Sequence, residues 1–292
     1  MNTDEKREFF NEWKDNDIYD SLKWKEKLPK YLYRYRPLGE EEKKNEQEFE
    51  ALKNEKVWAS VVSEFNDLNE FAIKASCQIA ESDIDKFYEQ YCKKVRGENY
   101  DKKYFETKSA KILLQSLSSS EYRVGRDNLN NPKALREIKK ILKSTYTGKF
   151  LSELKNQYMV TCFTEEENSE YMWNEYANEY RGFCVKYKFE DLIKQKFYLL
   201  PVVYVDENEK LDVGEYTHKM TLLKYKVDPK NENIIFENEN EWRRVERNIN
   251  NKKNGQLLDI ELPIDTIICG DNISEQHRKE IERICKDKGI KL

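Results

Sequence analysis

Short segments in which hydrophobic and polar residues alternate predict several strands in this chain. Tyr31–Arg36 is the clearest of them, because aromatic or apolar residues alternate with polar ones and the segment stops at Pro37 and Gly39. Alternation with a period of two places one set of side chains on each face of a sheet. The same reasoning, with β-branched and aromatic content, predicts strands at residues 56–62, 158–163, 183–187, 199–205, 240–246 and 266–269.

Apolar residues with helical spacing predict helices between these strands. Residues 69–150 are rich in Lys, Glu, Tyr and Ile, with breaks near Gly97 and from Gly125 to Pro132. The chain therefore predicts an α+β fold in one domain, residues 1–292, with N-terminal helices at 1–28 and a large helical insertion at about 69–156. The other predicted helices span residues 40–54, 169–180, 212 toward 225, and 274–288.

Composition supports a packed core and narrows the chemistry. Charged residues make up 37% of the chain, yet hydrophobic residues reach 38% and include 19 Tyr, 13 Phe and 5 Trp. The formal charge of −4 provides no global positive field that would gather nucleic acid. Two histidines and six singly placed cysteines give no metal-ligand or hydrolase pattern, so any chemistry must rest on Glu, Asp, Arg, Tyr and Ser.

The sequence also predicts a cytoplasmic protein without a membrane partner. No stretch approaches the roughly 20 apolar residues that a spanning helix needs, and residues 1–7 lack the apolar segment of a signal peptide. We expect the cysteines to be reduced and mostly buried.

Two candidate sites lie on or beside predicted strands. Arg34 and Arg36, with Tyr35 between them, are either snorkelling surface residues or a guanidinium pair for a pyrophosphate or carboxylate, with Tyr stacking as support. Asn66 and Asp67 follow Ser60 at a strand end. They are either ordinary turn residues or acceptors for the hydroxyls of a bound ribose.

Two further runs concentrate reactive residue types. If residues 239–243 form a strand, Glu239, Glu241 and Arg243 share one face, where two neighbouring carboxylates need Arg243 or a ligand to tolerate each other. The alternative is a solvated edge strand. Trp173 and Tyr176 have helical spacing and form either a core stripe or an aromatic wall for a planar base.

Taken in order, these motifs resemble a bacterial family of uncharacterised function that is often encoded in phage-defence neighbourhoods. The resemblance lies in residues 33–38 (YRYRPL), 65–67 (FND), 172–177 (MWxxYA) and 239–243 (ExEWR), and it covers most of the chain outside the first thirty residues and the insertion. It implies no established activity.

A second, weaker resemblance is to ADP-ribosyltransferase folds. In those enzymes a first-strand Arg or His holds NAD, a second-strand Ser or Tyr assists, and a late strand carries Glu, sometimes as Glu-x-Glu. Arg34 or Arg36, Ser60, and Glu239 with Glu241 stand in that order here. The resemblance implies a mixed β core with NAD as the substrate and no metal.

The roles that this resemblance implies are specific. Glu241 would stabilise the oxocarbenium-like state as the nicotinamide–ribose bond breaks, and Glu239 would orient or deprotonate the acceptor. Arg34 or Arg36 would neutralise the pyrophosphate, and Tyr35 or Trp173 would stack on nicotinamide. Asn66, Asp67, Tyr176 and Arg243 complete the expected cofactor-binding set.

The sequence-based hypothesis is thus a NAD-consuming transferase or hydrolase, with an antiphage or toxin effector as its implied role and an unknown protein or nucleic acid as acceptor. One alternative is a metal-dependent nuclease in which Asp67, Glu239 and Glu241 gather a divalent cation. Another is a non-enzymatic sensor or partner-binding module that uses the charged helical insertion as its interface.

Overall fold

The structure is a computed structural model of the 292-residue chain. It describes residues 1–13, 16–65, 74–76, 78–107, 110–111, 113–114, 140, 156–206, 210–212, 225–228 and 239–292. Within these ranges helices combine with an antiparallel sheet, which makes the fold α+β.

Helices flank the strands along the described chain. A 3₁₀ turn at Asn16–Asp20 follows the first helix, and two others lie at Val62–Glu64 and Lys103–Glu106. The α-helices are α1 (Thr3–Glu12), α2 (Leu22–Lys25), α3 (Glu42–Lys53), α4 (Gln78–Arg96), α5 (Glu170–Tyr176), α6 (Phe189–Lys194) and α7 (Glu275–Lys288).

The strands form one large sheet and two short parallel pairs. They are β1 (Tyr31–Arg36), β2 (Trp58–Val61), β3 (Lys74–Ser76), β4 (Tyr158–Thr164), β5 (Phe183–Lys188), β6 (Leu200–Pro201), β7 (Val203–Asp206), β8 (Lys210–Asp212), β9 (Tyr225–Asp228), β10 (Glu241–Arg247), β11 (Gly255–Leu257) and β12 (Thr266–Cys269). The eight-stranded sheet has the order β11-β2-β4-β1-β5-β12, and β10 pairs with both β4 and β6. All its pairings are antiparallel, whereas β3 pairs with β8 and β7 with β9 in parallel.

Contacts within the chain divide it into two compact units. The first comprises Met1–Ala72, Asn156–Glu207 and Leu223–Leu292, and it contains the large sheet. The second comprises Ile73–Lys155 and Asn208–Leu222; its described part contains α4 and the β3–β8 pair. The single domain with a helical insertion at about residues 69–156 stays a prediction.

Both faces of the large sheet are covered by apolar side chains. On the face that we call the α5 face, Tyr33, Tyr35 and Cys184 pack with Met172 and Trp173. On the opposite face, called the α3 face, Phe163 packs against Tyr187 and Phe197. Near-continuous burial on two sides explains why the central strands β1, β4 and β5 carry apolar residues at most positions.

Two sequence-based boundaries were wrong, and a range predicted as mainly helical also contains a strand. The predicted strand 199–205 is two strands: Leu200 and Pro201 pair with β10, which begins at Glu241, whereas Val203 pairs with Tyr225 of β9. The helix predicted from residue 212 toward 225 has strand residues at both ends, in β8 and β9. The range 69–150 contains the short strand β3.

Candidate functional site

Strand β10 carries a buried ion pair on the α5 face. Arg243 Nε donates to Glu241 Oε1 at 2.7 Å and Nη2 donates to Oε2 at 2.8 Å, so one guanidinium holds both carboxylate oxygens. Arg243 is 1% exposed and Glu241 6% exposed. The parallel two-bond geometry is the strongest that Arg and a carboxylate form, and it meets the requirement that buried charges be paired.

Glu239 reaches the same cluster although it lies outside the strand. Asn240 has a φ of 41°, a left-handed conformation that Asn tolerates, and this breaks the alternation predicted for residues 239–243. The strand alternation therefore fails at Glu239, although its carboxylate still lies on the α5 face with Glu241. Its carboxylate is buried at 3% exposure and Oε1 accepts from Tyr176 OH at 2.7 Å and Tyr171 OH at 3.5 Å, while its carbonyl accepts from the Thr164 hydroxyl.

Tyrosine hydroxyls therefore contact the carboxylate of Glu239 and the backbone of Glu241. Tyr204 OH accepts from the backbone N–H of Glu241 at 3.2 Å. Burial raises the pKa of Tyr176 and of Tyr204 far above the ordinary value, and the nearby negative charge of Glu239 and Glu241 raises both further. These phenols stay protonated at neutral pH and act as hydrogen-bond donors or acceptors, not as anions. Tyr176 remains 39% exposed, so its ring connects Glu239 to the surface.

Arg34 and Arg36 lie on the opposite side of the sheet from this cluster. The register pairs Glu241 with Thr164 and Thr164 with Tyr33, and paired residues point to the same face. Tyr33 therefore shares the α5 face with Glu241, while its neighbour Arg34 points to the α3 face, since successive side chains alternate. The expected meeting of a β1 arginine with Glu241 in one hollow was wrong.

The two arginines make their own contacts on the α3 face. Arg34 Nη2 donates to Trp58 O at 2.7 Å, and its guanidinium carbon lies 5.7 Å from the Phe163 ring centre. Arg36 Nε donates to Glu48 Oε2 at 2.7 Å, and its Nη2 pairs with the other oxygen of Glu48. Burial followed by the charge of Arg36 lowers the pKa of Arg34 to about 10. Burial also acts against Arg36, but Glu48 outweighs it and raises the pKa of Arg36.

The aromatic residues expected to stack on nicotinamide are core residues. Trp173 lies edge-on to Tyr35 at 5.0 Å between ring centres and is stacked on Tyr180 at 5.2 Å. The Tyr35 hydroxyl donates to Glu166 O at 2.9 Å, and the residue is 4% exposed. Both rings are thus occupied by protein contacts, which corrects the expectation of ligand stacking. Of the predicted aromatic wall, only Tyr176 reaches the surface.

Ser60 does not join the cluster. Ser60 pairs with Val160, four residues from Thr164, the partner of Glu241 on β4. At about 3.3 Å per residue this places Ser60 roughly 13 Å along the strand from the carboxylates. Asn66 and Asp67 lie outside the described residues, so the predicted nuclease triad of Asp67 with both glutamates stays a prediction.

Sequence reasoning missed several members of these clusters. Glu48 lies in the helix predicted at residues 40–54, where no pattern distinguishes it from the other glutamates, and in the structure it pairs with Arg36. Tyr171 lies in the run that predicted the helix, and only its distance to Glu239 reveals its role. Tyr204 sits in a predicted strand, where aromatic residues are ordinary. No sequence signal distinguishes these three from packing residues.

The described ranges also bear on metal ligation, free thiols and membrane spanning. No group of three or more His, Cys, Asp or Glu side chains there could hold a metal ion. The five cysteines within those ranges are free: Cys92, Cys162, Cys184, Cys269 and Cys285. The helices of this part of the chain are too short or too polar to cross a membrane.

None of three comparisons, with protein-family models, with curated proteins and with solved structures, found a significant match to this chain. The fold and the site therefore define a class only by their architecture: an α+β protein with a buried carboxylate and tyrosine cluster on one sheet face.

Proposed function

We propose that the protein is a NAD-consuming transferase or hydrolase of the ADP-ribosyltransferase type, with its site at the Glu239–Tyr176 edge of the α5 face. The observation that carries the proposal is the burial of two carboxylates beside tyrosine hydroxyls, with one exposed ring leading to solvent. Such a pair suits cleavage of a glycosidic bond, because a carboxylate stabilises the sugar cation that forms.

We assign the role of the reacting carboxylate to Glu239 instead of Glu241. Both oxygens of Glu241 are held by Arg243, which suits a positioning role. Glu239 is linked to the surface by Tyr176. As the C–N bond to nicotinamide breaks, its electron pair leaves with nicotinamide and Glu239 faces the ribose cation. The incoming water or acceptor hydroxyl then adds to the ribose and gives its proton to Glu239.

The setting of this reaction is part of the proposal. The mixed β core of an ADP-ribosyltransferase, a cytoplasmic location, a macromolecular acceptor and an antiphage or toxin effector role follow the resemblance of the sequence motifs. Arg34 and Arg36 take no part, since they lie on the other face of the sheet. Lys186 carries a positive charge on the α5 face. It stands opposite Tyr33 in the β1–β5 register, and its Nζ lies 4.2 Å from the centre of the Tyr31 ring.

The test is nicotinamide release from labelled NAD by the purified chain, with protein, RNA and DNA acceptors and with water alone. We expect release by the wild type and a loss of more than about 100-fold in Glu239→Gln, as for removal of a general base. The amide oxygen introduced by this substitution still accepts from Tyr176, so the fold should persist. Glu175→Gln is the matched control, because Glu175 is exposed on the same helix as Tyr176.

Folding of each variant is checked by circular dichroism before its rate is compared. Folded wild type that releases no nicotinamide with any acceptor contradicts the proposal. So does a Glu239→Gln protein as active as Glu175→Gln.

A partner-binding module is the second candidate, favoured by the two-bond Arg243–Glu241 pair, which is what a purely structural polar core requires. A specific partner recovered equally by wild type and Glu239→Gln, with no nicotinamide release, would support this candidate.

A further inference from the structure

A small cavity lies on the α3 face, where β1 meets α3. It has room of about 20 Å³ for the centre of a water-sized sphere and opens to solvent on one side. That room suits a single atom of oxygen size, since one water needs about 10–15 Å³ by the same measure. Six of the residues that line it are Arg34, Arg36, Glu48, Lys56, Trp58 and Tyr187.

Arg34, one of the lining residues, has an unsatisfied donor. The residue is 8% exposed; Nη2 donates to Trp58 O, but Nη1 is buried without a hydrogen-bond partner in the described structure. Buried donors are almost always paired, and a charged donor is the costliest to leave unpaired. An unpaired guanidinium N–H on a residue that lines the cavity therefore marks a place where an acceptor would be favourable.

Charge around the cavity favours an anion as that acceptor. Arg34, Arg36 and Lys56 supply three positive charges, against Glu48 within the lining. Glu48 is committed to Arg36, and Lys56 Nζ pairs with the exposed Asp259 at 2.6 Å. The lowered pKa of Arg34 reflects burial and the neighbouring Arg36, both of which a bound negative charge would offset.

We infer that this cavity is an oxyanion site that takes one oxygen of a phosphate or carboxylate group against Arg34 Nη1. The remainder of the group stays at the open mouth, near Lys56. The site stands on the opposite face of the sheet from Glu239 and does not depend on the proposed function. Its ligand is an anionic small molecule or side chain that projects a single oxygen inward.

The experiment follows thermal unfolding of the full chain in sodium phosphate, sodium acetate and sodium chloride at matched ionic strength and pH 7. We expect a saturable rise in Tm with phosphate, with acetate, or with both, beyond that in chloride. The oxyanion that gives the larger rise identifies the ligand source.

Glu48→Gln supplies a gain-of-function test. Removing this carboxylate frees Arg36 from its counter-charge, so phosphate or acetate should bind about tenfold more tightly. Glu46→Gln is the matched control, because Glu46 is exposed on the same helix and its substitution changes the net charge equally. Arg34→Met should remove the saturable effect; if that variant does not fold, the Glu48 and Glu46 pair still decides.

Two results overturn the inference. One is a Tm in phosphate and acetate that equals the Tm in chloride at every concentration. The other is equal oxyanion affinity in the Glu48→Gln and Glu46→Gln proteins.

Discussion

For Arg243 in the α5 face cluster, the cost of desolvation is opposed by the gain from hydrogen bonding. Its guanidinium is desolvated at 1% exposure, and the compensation comes from two hydrogen bonds to one carboxylate. A buried ion pair contributes little more stability than apolar packing would, but removing one partner leaves the other charge buried without compensation. The pair therefore positions Glu241 firmly and makes each member depend on the other.

Replacing Arg243 by Met should lower the free energy of unfolding by about 3–5 kcal/mol, because Glu241 keeps a buried charge without its guanidinium. Urea denaturation measures this loss. Arg247→Met is the control: Arg247 is exposed at the other end of β10, and its change should stay within about 0.5 kcal/mol. Similar losses for both variants would show that the pair contributes nothing specific.

The same pair changes how Glu241→Gln should be interpreted. The amide of that variant keeps one oxygen for Arg243 but turns its NH₂ group toward the second guanidinium donor, which leaves a donor facing a donor. A drop in activity in that variant mixes lost chemistry with lost stability. Glu239 is the better probe, since its known partner Tyr176 donates to either a carboxylate or an amide oxygen.

At the scale of elements, α5 determines where Tyr176 lies. Its first turn is capped by Ser169, whose Oγ accepts from Met172 N at 3.3 Å. After the helix the chain enters β5 through Gly182, and a Cβ there would overlap the carbonyl oxygen of Arg36. The cap and the glycine together fix α5 against β1.

We expect Ser169→Ala to lower stability by about 1 kcal/mol, the usual value of an N-cap. Ser274→Ala is a matched control, because Ser274 caps α7 by the same bond, to His277 N at 3.2 Å. Both should cost similar stability in thermal unfolding, but only Ser169→Ala should reduce nicotinamide release, since only α5 carries Tyr176. Equal reductions in the two variants would argue that α5 does not position the site.

Elements with a clear local pattern could be predicted from the sequence. The strand predicted from the alternation in residues 31–36 and the helix predicted at residues 274–288 correspond to β1 and α7. The strand β11, only Gly255–Leu257, was missed because three residues give no period and its pairing with β2 is non-local. The break at Val202 was missed because it depends on where β10 begins.

The site was less predictable than the elements, because a face is a property of the whole sheet. Alternation alone shows that Arg34 and Tyr33 point to opposite faces of the sheet. Which of the two shares a face with Glu241 depends on the register through β4. A shift of the strand register by one residue would move every side chain of that strand to the other face. The order of the motifs along the chain carries no information on this register, which places Arg34 and Arg36 on the opposite side of the sheet from Glu241.

At the scale of the molecule, this separation makes two clusters that should act independently. Glu239 is surrounded by tyrosines on the α5 face, and Glu48 holds Arg36 on the α3 face, with the sheet between them. Effects at sites more than about 7–10 Å apart without shared partners usually add.

We therefore expect Glu239→Gln to leave oxyanion affinity within about twofold of wild type, and Glu48→Gln to leave nicotinamide release within about twofold. In a double variant, the two changes in unfolding free energy should sum to within about 0.5 kcal/mol. Two outcomes would contradict this independence. One is a coupling energy well above that value. The other is an effect of phosphate on nicotinamide release that becomes larger in Glu48→Gln, which would mean that anion binding on the α3 face changes the cluster on the α5 face.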